Sequence, residues 1–534
     1  MSAHLRICAH IFIALLTVSQ ARADLDDHDA ALNIAKLKGL ATADRDVLRA
    51  KLDPKTLRKL PAAEYEVIQK AALRFSETAI GRRSNGRLIE VTDATEKRLL
   101  QIAGEYLNSL PPGKVTAHPK AADLFGKISP GAARISRHVT INPKSERWHT
   151  TGLYAAPGEV VVVNVPEPWR NRGLKVRISG HTDGIPLKHK LVRLPAPPSR
   201  SFEVTGAETL VASAFGGAVY IDTGTKPLQE PAFPVSISNA VAAPGFKLGS
   251  TSPDLWRTSL KSAPAPYAEL MSDRVILSVP SEWIRDIDDP TELVAYWDHI
   301  VELHDELGGL SQLRTCPERV NVDVQISAGL FHAGYPMQGP QHACRGIADL
   351  TPLRQQGNWG WFHELGHEAQ RRPDKAWSWN NPYTFDSSIE ATVNLFSSHA
   401  YNRLGISPKG GWAWTVDPKQ VVEKARKATS AGTTYAKADV GTKLAMFLQL
   451  RDAFGWDPIA AVLKSYSDDQ NIDPTRLPQG EQAERDEFLV RMSGQVKHDL
   501  YPFLHGVWGL ELGEDARKKT AELKPWLPDG FALQ

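Results

Sequence analysis

The chain has 534 residues, 63 Lys+Arg against 61 Asp+Glu, and 42% hydrophobic and 23% charged residues, an ordinary globular composition. At about 150 residues per domain it should form three or four folding units. Setting aside residues 1–23, which hold Arg6, Arg22 and no acid, leaves 61 basic against 61 acidic residues. Formal neutrality argues against nucleic-acid or anionic-membrane binding driven by bulk charge.

Residues 1–23 run from Arg6 through an apolar stretch, Ile7 to Val18, to Ala21-Arg22-Ala23. This is the layout of a secretory signal peptide with a small-x-small cleavage site. The alternative, a membrane anchor, would have to span a bilayer with too few apolar residues. No other stretch reads as a membrane span, so the chain is expected to be exported, either secreted or periplasmic.

Residues 24–130 read as a helical region of open role, with amphipathic runs such as Lys97 to Ala103 and a break at Pro111-Pro112-Gly113. Residues 131–225 switch to short β-branched runs: Val160 to Val163, Leu174 to Ile178, Leu210 to Ala212 and Gly216 to Ile221. Strands at this spacing read as a β-sandwich.

From 226 to 420 strands and helices mix. Val275 to Val279 reads as a buried strand, and Asp289-Pro290 opens a helix closed by Gly308-Gly309, with Leu293, Trp297, Ile300 and Leu307 on its apolar stripe. Val320, Val322, Val324 and Ile326 alternate with polar residues and read as a half-exposed strand, an edge for an extended peptide. After export Cys316 and Cys344 remain, which suggests one disulfide worth about 3 kcal/mol; two unpaired core thiols are the alternative.

The densest chemistry is Trp361-Phe362-His363-Glu364-Leu365-Gly366-His367. A helix puts imidazoles four residues apart on one face, where both can hold a single metal ion while Glu364 points at the open position. The Gly357-Asn358 turn would start this helix and Pro373 would end it. Gln370 and Pro373 stand where a metzincin would have its glycine and third histidine, so the third ligand must come from elsewhere. Glu390, 23 residues after His367, leaves room for a chain reversal and a second helix. On spacing it is favoured over Asp386 and Asp374, although Ser387 and Glu390 also have capping-box spacing. Asn394 lies one turn on and is placed to bond a ligating side chain. Tyr335, Tyr383 and His399 are weak candidates for stabilising an oxyanion. The segment Trp377-Ser378-Trp379-Asn380-Asn381-Pro382-Tyr383 either contacts a sugar or packs a core. Residues 421–534 read as a helical subdomain, for example Leu444 to Phe454.

These motifs resemble the enhancin-like and bacterial mucin-degrading metallopeptidases, a gluzincin family. The resemblance rests on His363-Glu364-Leu365-Gly366-His367 with Glu390-Ala391-Thr392-Val393-Asn394. It extends to Thr151 to Tyr154, Pro157-Gly158-Glu159, Phe215 to Tyr220, Ser272 to Leu277 and Ala333-Gly334-Tyr335-Pro336, and covers roughly residues 130 to 510. It implies an α+β multidomain fold: a β-sandwich, a zincin-type catalytic domain and a helical C-terminal subdomain. It implies Zn2+ held by His363, His367 and Glu390, with Glu364 as general base and acid. The expected activity is endopeptidase cleavage of mucin-like, O-glycosylated proteins. A catalytically silent adhesin and an exported aminopeptidase are the rival functions. Neutrality implies that acidic glycans would be recognised through short-range contacts.

Overall fold

The computed structural model describes residues 52–57, 59–311, 314–370 and 381–531. The signal-peptide expectation, Asp374 and Trp377 to Asn380 lie outside them. Among the described residues no helix is long and apolar enough to cross a membrane.

Helices α1 (Ala62–Ala79) and α2 (Ala94–Ser109) form the N-terminal helical region. Asp93 starts α2 by accepting from the backbone N–H groups of Thr95 and Glu96, which otherwise lack helical partners. Their apolar faces, including Ala72, Phe75, Leu100 and Ala103, close onto Leu191, Leu194 and Phe215. The helical region is therefore packed onto the strand-rich unit rather than standing apart from it.

That unit contains eight strands: β1 (Ile135–Ile141), β2 (Trp148–Ala155), β3 (Val161–Asn164), β4 (Lys175–Ile178), β5 (Arg200–Glu203), β6 (Glu208–Val211), β7 (Gly217–Asp222) and β8 (Phe233–Ala242). They form a continuous sheet ordered β5-β4-β7-β2-β8-β3-β6, with β1 also on β8. Val161, Val163, Val176, Ile178, Val219, Ile221, Val235 and Ile237 share one core, as two facing layers require. The sheet runs past residue 225, because β8 pairs with β1, β2 and β3 and joins the two halves.

The next sheet is ordered β13-β12-β11-β10-β9, from β9 (Gly245–Lys247), β10 (Tyr267–Met271), β11 (Val275–Pro280), β12 (Glu318–Asp323) and β13 (Met337–Pro340). Strands β11, β12 and β13 are parallel, and β10 is antiparallel to β11. Helix α3 (Thr291–Gly308) covers one face, with Leu293, Trp297, Ile300 and Leu307 buried and Gly309 ending it in the left-handed conformation.

The sequence pattern misplaced β12. It is neither half-exposed nor an edge: all six residues are buried, between β11 and β13. The alternation is real but its polar face meets the first sheet rather than water. Val320 and Val322 pack with α3, while Arg319 reaches Glu269 and the Trp148 carbonyl. Asn321 bonds His181, and Asp323 pairs with Arg193.

Cys316 and Cys344 are not bonded to each other. Cys344 is buried in the α3 core beneath Gly339, where a Cβ would come 2.5 Å from its sulfur. Cys316 lies instead 3.8 Å from Glu146 before β2. Helices α4 (Trp359–Gln370) and α5 (Ile389–Leu404) carry the motif residues. Helices α6 (Val440–Phe454), α7 (Asp457–Ile472) and α8 (Glu481–Val496) share a core that takes in Leu395 and Phe396 of α5.

Candidate metal centre

Gly357, at φ +60°, makes the turn into α4, and its missing side chain leaves room for Tyr401. The Asn358 side chain then accepts from the Trp361 N–H, capping the first turn. Four-residue spacing places His363 and His367 on one face, their rings 4.7 Å apart. Gly366 permits the close approach of α5: a Cβ there would come 2.8 Å from Val393 and 3.1 Å from Phe396. At the far end, Gln370 donates to Thr392 Oγ1 at 2.7 Å, and Asn381 donates to the Gln370 carbonyl.

The approach brings Glu390 across both imidazoles. Its carboxylate oxygens lie 3.2 Å from His363 Nε2 and 3.5 Å from His367 Nε2. Bonds of about 2.0–2.1 Å in a tetrahedron separate donor atoms by roughly 3.3 Å, so the spacing fits one metal ion. Donor atoms of His363, Glu364 and His367 also lie within 4.8 Å of one another. Glu390 is the better ligand geometrically because it spans both ring nitrogens. It does not cap α5: Ser388 is the N-cap, with no side-chain bond.

Asn394 orients the set. His363 Nδ1–H donates to Asn394 Oδ1 at 2.9 Å, which turns Nε2 toward Glu390. Trp359 Nε1 donates to the same oxygen at 3.0 Å, and Asn394 Nδ2 donates to the Glu390 carbonyl at 2.7 Å. Burial pushes Glu364 above the usual carboxylate range, against the pull of the histidines. Hydrogen bonds from His363 and His367 hold Glu390 far below that range. Burial disfavours charge on His363, but its bonds to Glu390 and Asn394 outweigh this and raise it.

Other sequence candidates fall away. Asp386 is paired with Arg485 at 2.6 Å. Tyr383 is buried beside Tyr466, so at this residue the aromatic segment is core packing. Tyr335 packs edge-on against Trp148, under the Arg147 guanidinium. His399 is buried next to Trp456, which drives it down to about 3. All three are thus committed to packing.

One pair escaped the sequence reading. His332, just before β13, meets Asp183 of the segment after β4 at 2.7 Å. His332 adjoins the Ala333 to Pro336 motif and was within reach; Asp183 is 149 residues away and carries no local signal.

A family model described as Peptidase M60, enhancin and enhancin-like, matches residues 239–508, and one for the N-terminal domain of M60-like peptidases matches residues 130–238. The chain belongs to the M60 enhancin-like peptidase family. TRPM8 channel-associated factor 2 of Bos taurus is 31% identical over 388 residues, 72% of this chain and 40% of that relative. Its Homo sapiens counterpart is 30% identical over 419 residues, 78% and 42% respectively. The M60 chain thus spans about two-fifths of these curated relatives. Among solved structures, IMPa from Pseudomonas aeruginosa in complex with an O-glycopeptide is 15% identical at a TM-score of 0.57, covering 95% of this chain and 63% of that one. At this identity the likeness establishes the fold.

Proposed function

We propose that this M60 chain is an exported zinc endopeptidase that cleaves glycosylated, mucin-like proteins. The observation that carries the reading is the convergence of His363, His367 and Glu390 with Glu364 beside them. Two imidazoles and a carboxylate at this spacing suit zinc, and His363, His367 and Glu390 would hold it. Bound there, zinc supplies Lewis acidity toward a peptide carbonyl and toward water. Glu364 takes a proton from the attacking water and returns it to the leaving amine; burial raises its proton affinity and suits it to this exchange. Asn394 keeps His363 in the tautomer that presents Nε2.

The substrate class draws support from the IMPa structure, whose described partner is an O-glycopeptide. The domain division belongs to the same reading: a helical N-terminal region, a β-sandwich unit, the peptidase unit and a helical C-terminal part. The competing reading is a binding protein without turnover, motivated by relatives named for association with a TRPM8 channel. Mass spectrometry of a defined O-glycopeptide incubated with the purified chain, with and without chelator, separates the two. Cleavage abolished by chelation and by Glu364→Ala supports the peptidase. Binding without chelator-sensitive cleavage supports the rival.

A further inference from the structure

Segment 331–334 lies along the catalytic helix. At one end the Phe331 ring is 4.5 Å from Trp361, and a Cβ on Gly360 would meet it at 2.7 Å. At the other, the Gly334 N–H donates to Glu368 Oε1 at 2.6 Å. Residues 360, 364 and 368 share one helical face, so His332 is carried past Glu364. The two side chains feel each other's charge. The His332 backbone N–H and carbonyl both bond Gln338 of β13 at 3.0 Å, which makes the segment an outward extension of the sheet.

What holds this segment comes from the first sheet's unit. Asp183 Oδ2 accepts from His332 Nε2 at 2.7 Å and from the Ser327 N–H at 2.7 Å, and Oδ1 accepts from Gln338 Nε2 at 3.0 Å. One carboxylate therefore ties three points around residues 327–338. His332 Nδ1 meets the Ala333 carbonyl at 2.8 Å, so both ring nitrogens face acceptors and the doubly protonated ring satisfies both. The Asp183 carbonyl is in turn held by Arg193, which pairs with Asp323 at the end of β12.

We propose that Asp183 and His332 form a clamp by which the β-sheet unit positions the peptidase cleft, with Asp183 as a positioning residue for the reaction at Glu364. The clamp rests on the peptidase reading, because it matters for turnover only if the site turns over. It makes the first sheet's unit a working part of the site: the Asp183 carboxylate, in the segment after β4, fixes the wall beside the general base.

The test uses the full chain with zinc, comparing the parent with Asp183→Ala, His332→Gln and, as a control, Lys190→Ala, which removes only an exposed pair with Glu90. Hydrogen exchange is read over residues 327–334, together with zinc stoichiometry, melting midpoint, kcat and KM on one O-glycopeptide. Asp183→Ala is expected to speed exchange there about tenfold and to lower kcat about tenfold, with zinc content and midpoint retained and KM within about threefold. His332→Gln, which keeps a donor toward Asp183, should lose less, and Lys190→Ala should match the parent. Unchanged exchange in Asp183→Ala, or kcat within about twofold of an active parent, overturns the clamp. A parent that does not cleave overturns the peptidase reading and with it the positioning role.

Discussion

The seam beneath β12 and the site on α4 and α5 gather similar side chains and treat them in opposite ways. In the seam every charge is sealed and matched: Arg319 and Asp323 are both 0% exposed, the first paired with Glu269 and the second with Arg193. At the site two carboxylates and two imidazoles converge, with the Glu390 side chain left 60% exposed. The Arg193–Asp323 pair spends its electrostatics on holding two units in register, while Arg319, paired with Glu269 within its own sheet, reaches across the seam to the Trp148 carbonyl. A convergent, partly open set keeps its capacity for a ligand. Charge alone does not mark the candidate site; its balance and access do.

The contrast breaks most visibly at Glu364. Glu364→Gln removes the proposed proton carrier but no seam contact, so kcat should fall about 10²–10⁴-fold while zinc content and melting midpoint stay at parental values. Loss of fold together with activity would place this residue in the structural class instead. The converse test is Arg319→Ala. It leaves Glu269 buried without its cation, and chemical denaturation should report a loss of about 3–5 kcal/mol. A loss below about 1 kcal/mol would mean that the seam is not held by its charges.

Legibility in sequence followed the same division. The four-residue histidine spacing could be read because a helix converts local spacing directly into a shared face; Glu390, on a separate helix, rested on chain spacing and the family resemblance. The α3 stripe could be read for the same reason. The polar face of β12 was misjudged because alternation says which residues share a face, and only tertiary structure says what covers it. Arg319, Asn321 and Asp323 look like solvent-facing residues until the first sheet is placed over them. Asp183 was invisible, since its three partners lie more than 140 positions away. The cysteines misled through a compartment argument that contains no geometry.

Asn394 tests the comparison from within the site. It bonds His363 and Trp359 of α4 and the Glu390 carbonyl of its own helix, which places it in the proposed functional set although it would bind no metal. Asn394→Ala should weaken zinc binding about 10–100-fold, read by competition with a chelator, and cost the zinc-free chain about 1–2 kcal/mol of denaturant stability, less than the loss expected for Arg319→Ala. Unaltered affinity would show that the ring is oriented by packing alone.

Acidification separates the two regions without a mutation. Glu364 lies above its ordinary value of 4.5 because it is buried. A base works only when ionised, so activity should be lost as pH falls through that raised pKa, at a pH above 4.5. For Asp323 burial raises the pKa too, but the charges of Arg193 and His181 outweigh it and bring the group from 3.8 down to about 2. Its folded pKa is below its unfolded one. Its contribution is therefore complete above 3.8 and is lost as pH falls from there through about 2, a loss of about 2 kcal/mol. The site should switch off while the seam still holds. Profiles of kcat/KM and of melting midpoint across the acid range should show activity falling first, with full recovery on return to neutral pH. If the midpoint fell in step with activity already above about pH 5, the seam would be as acid-sensitive as the site and the contrast would not hold.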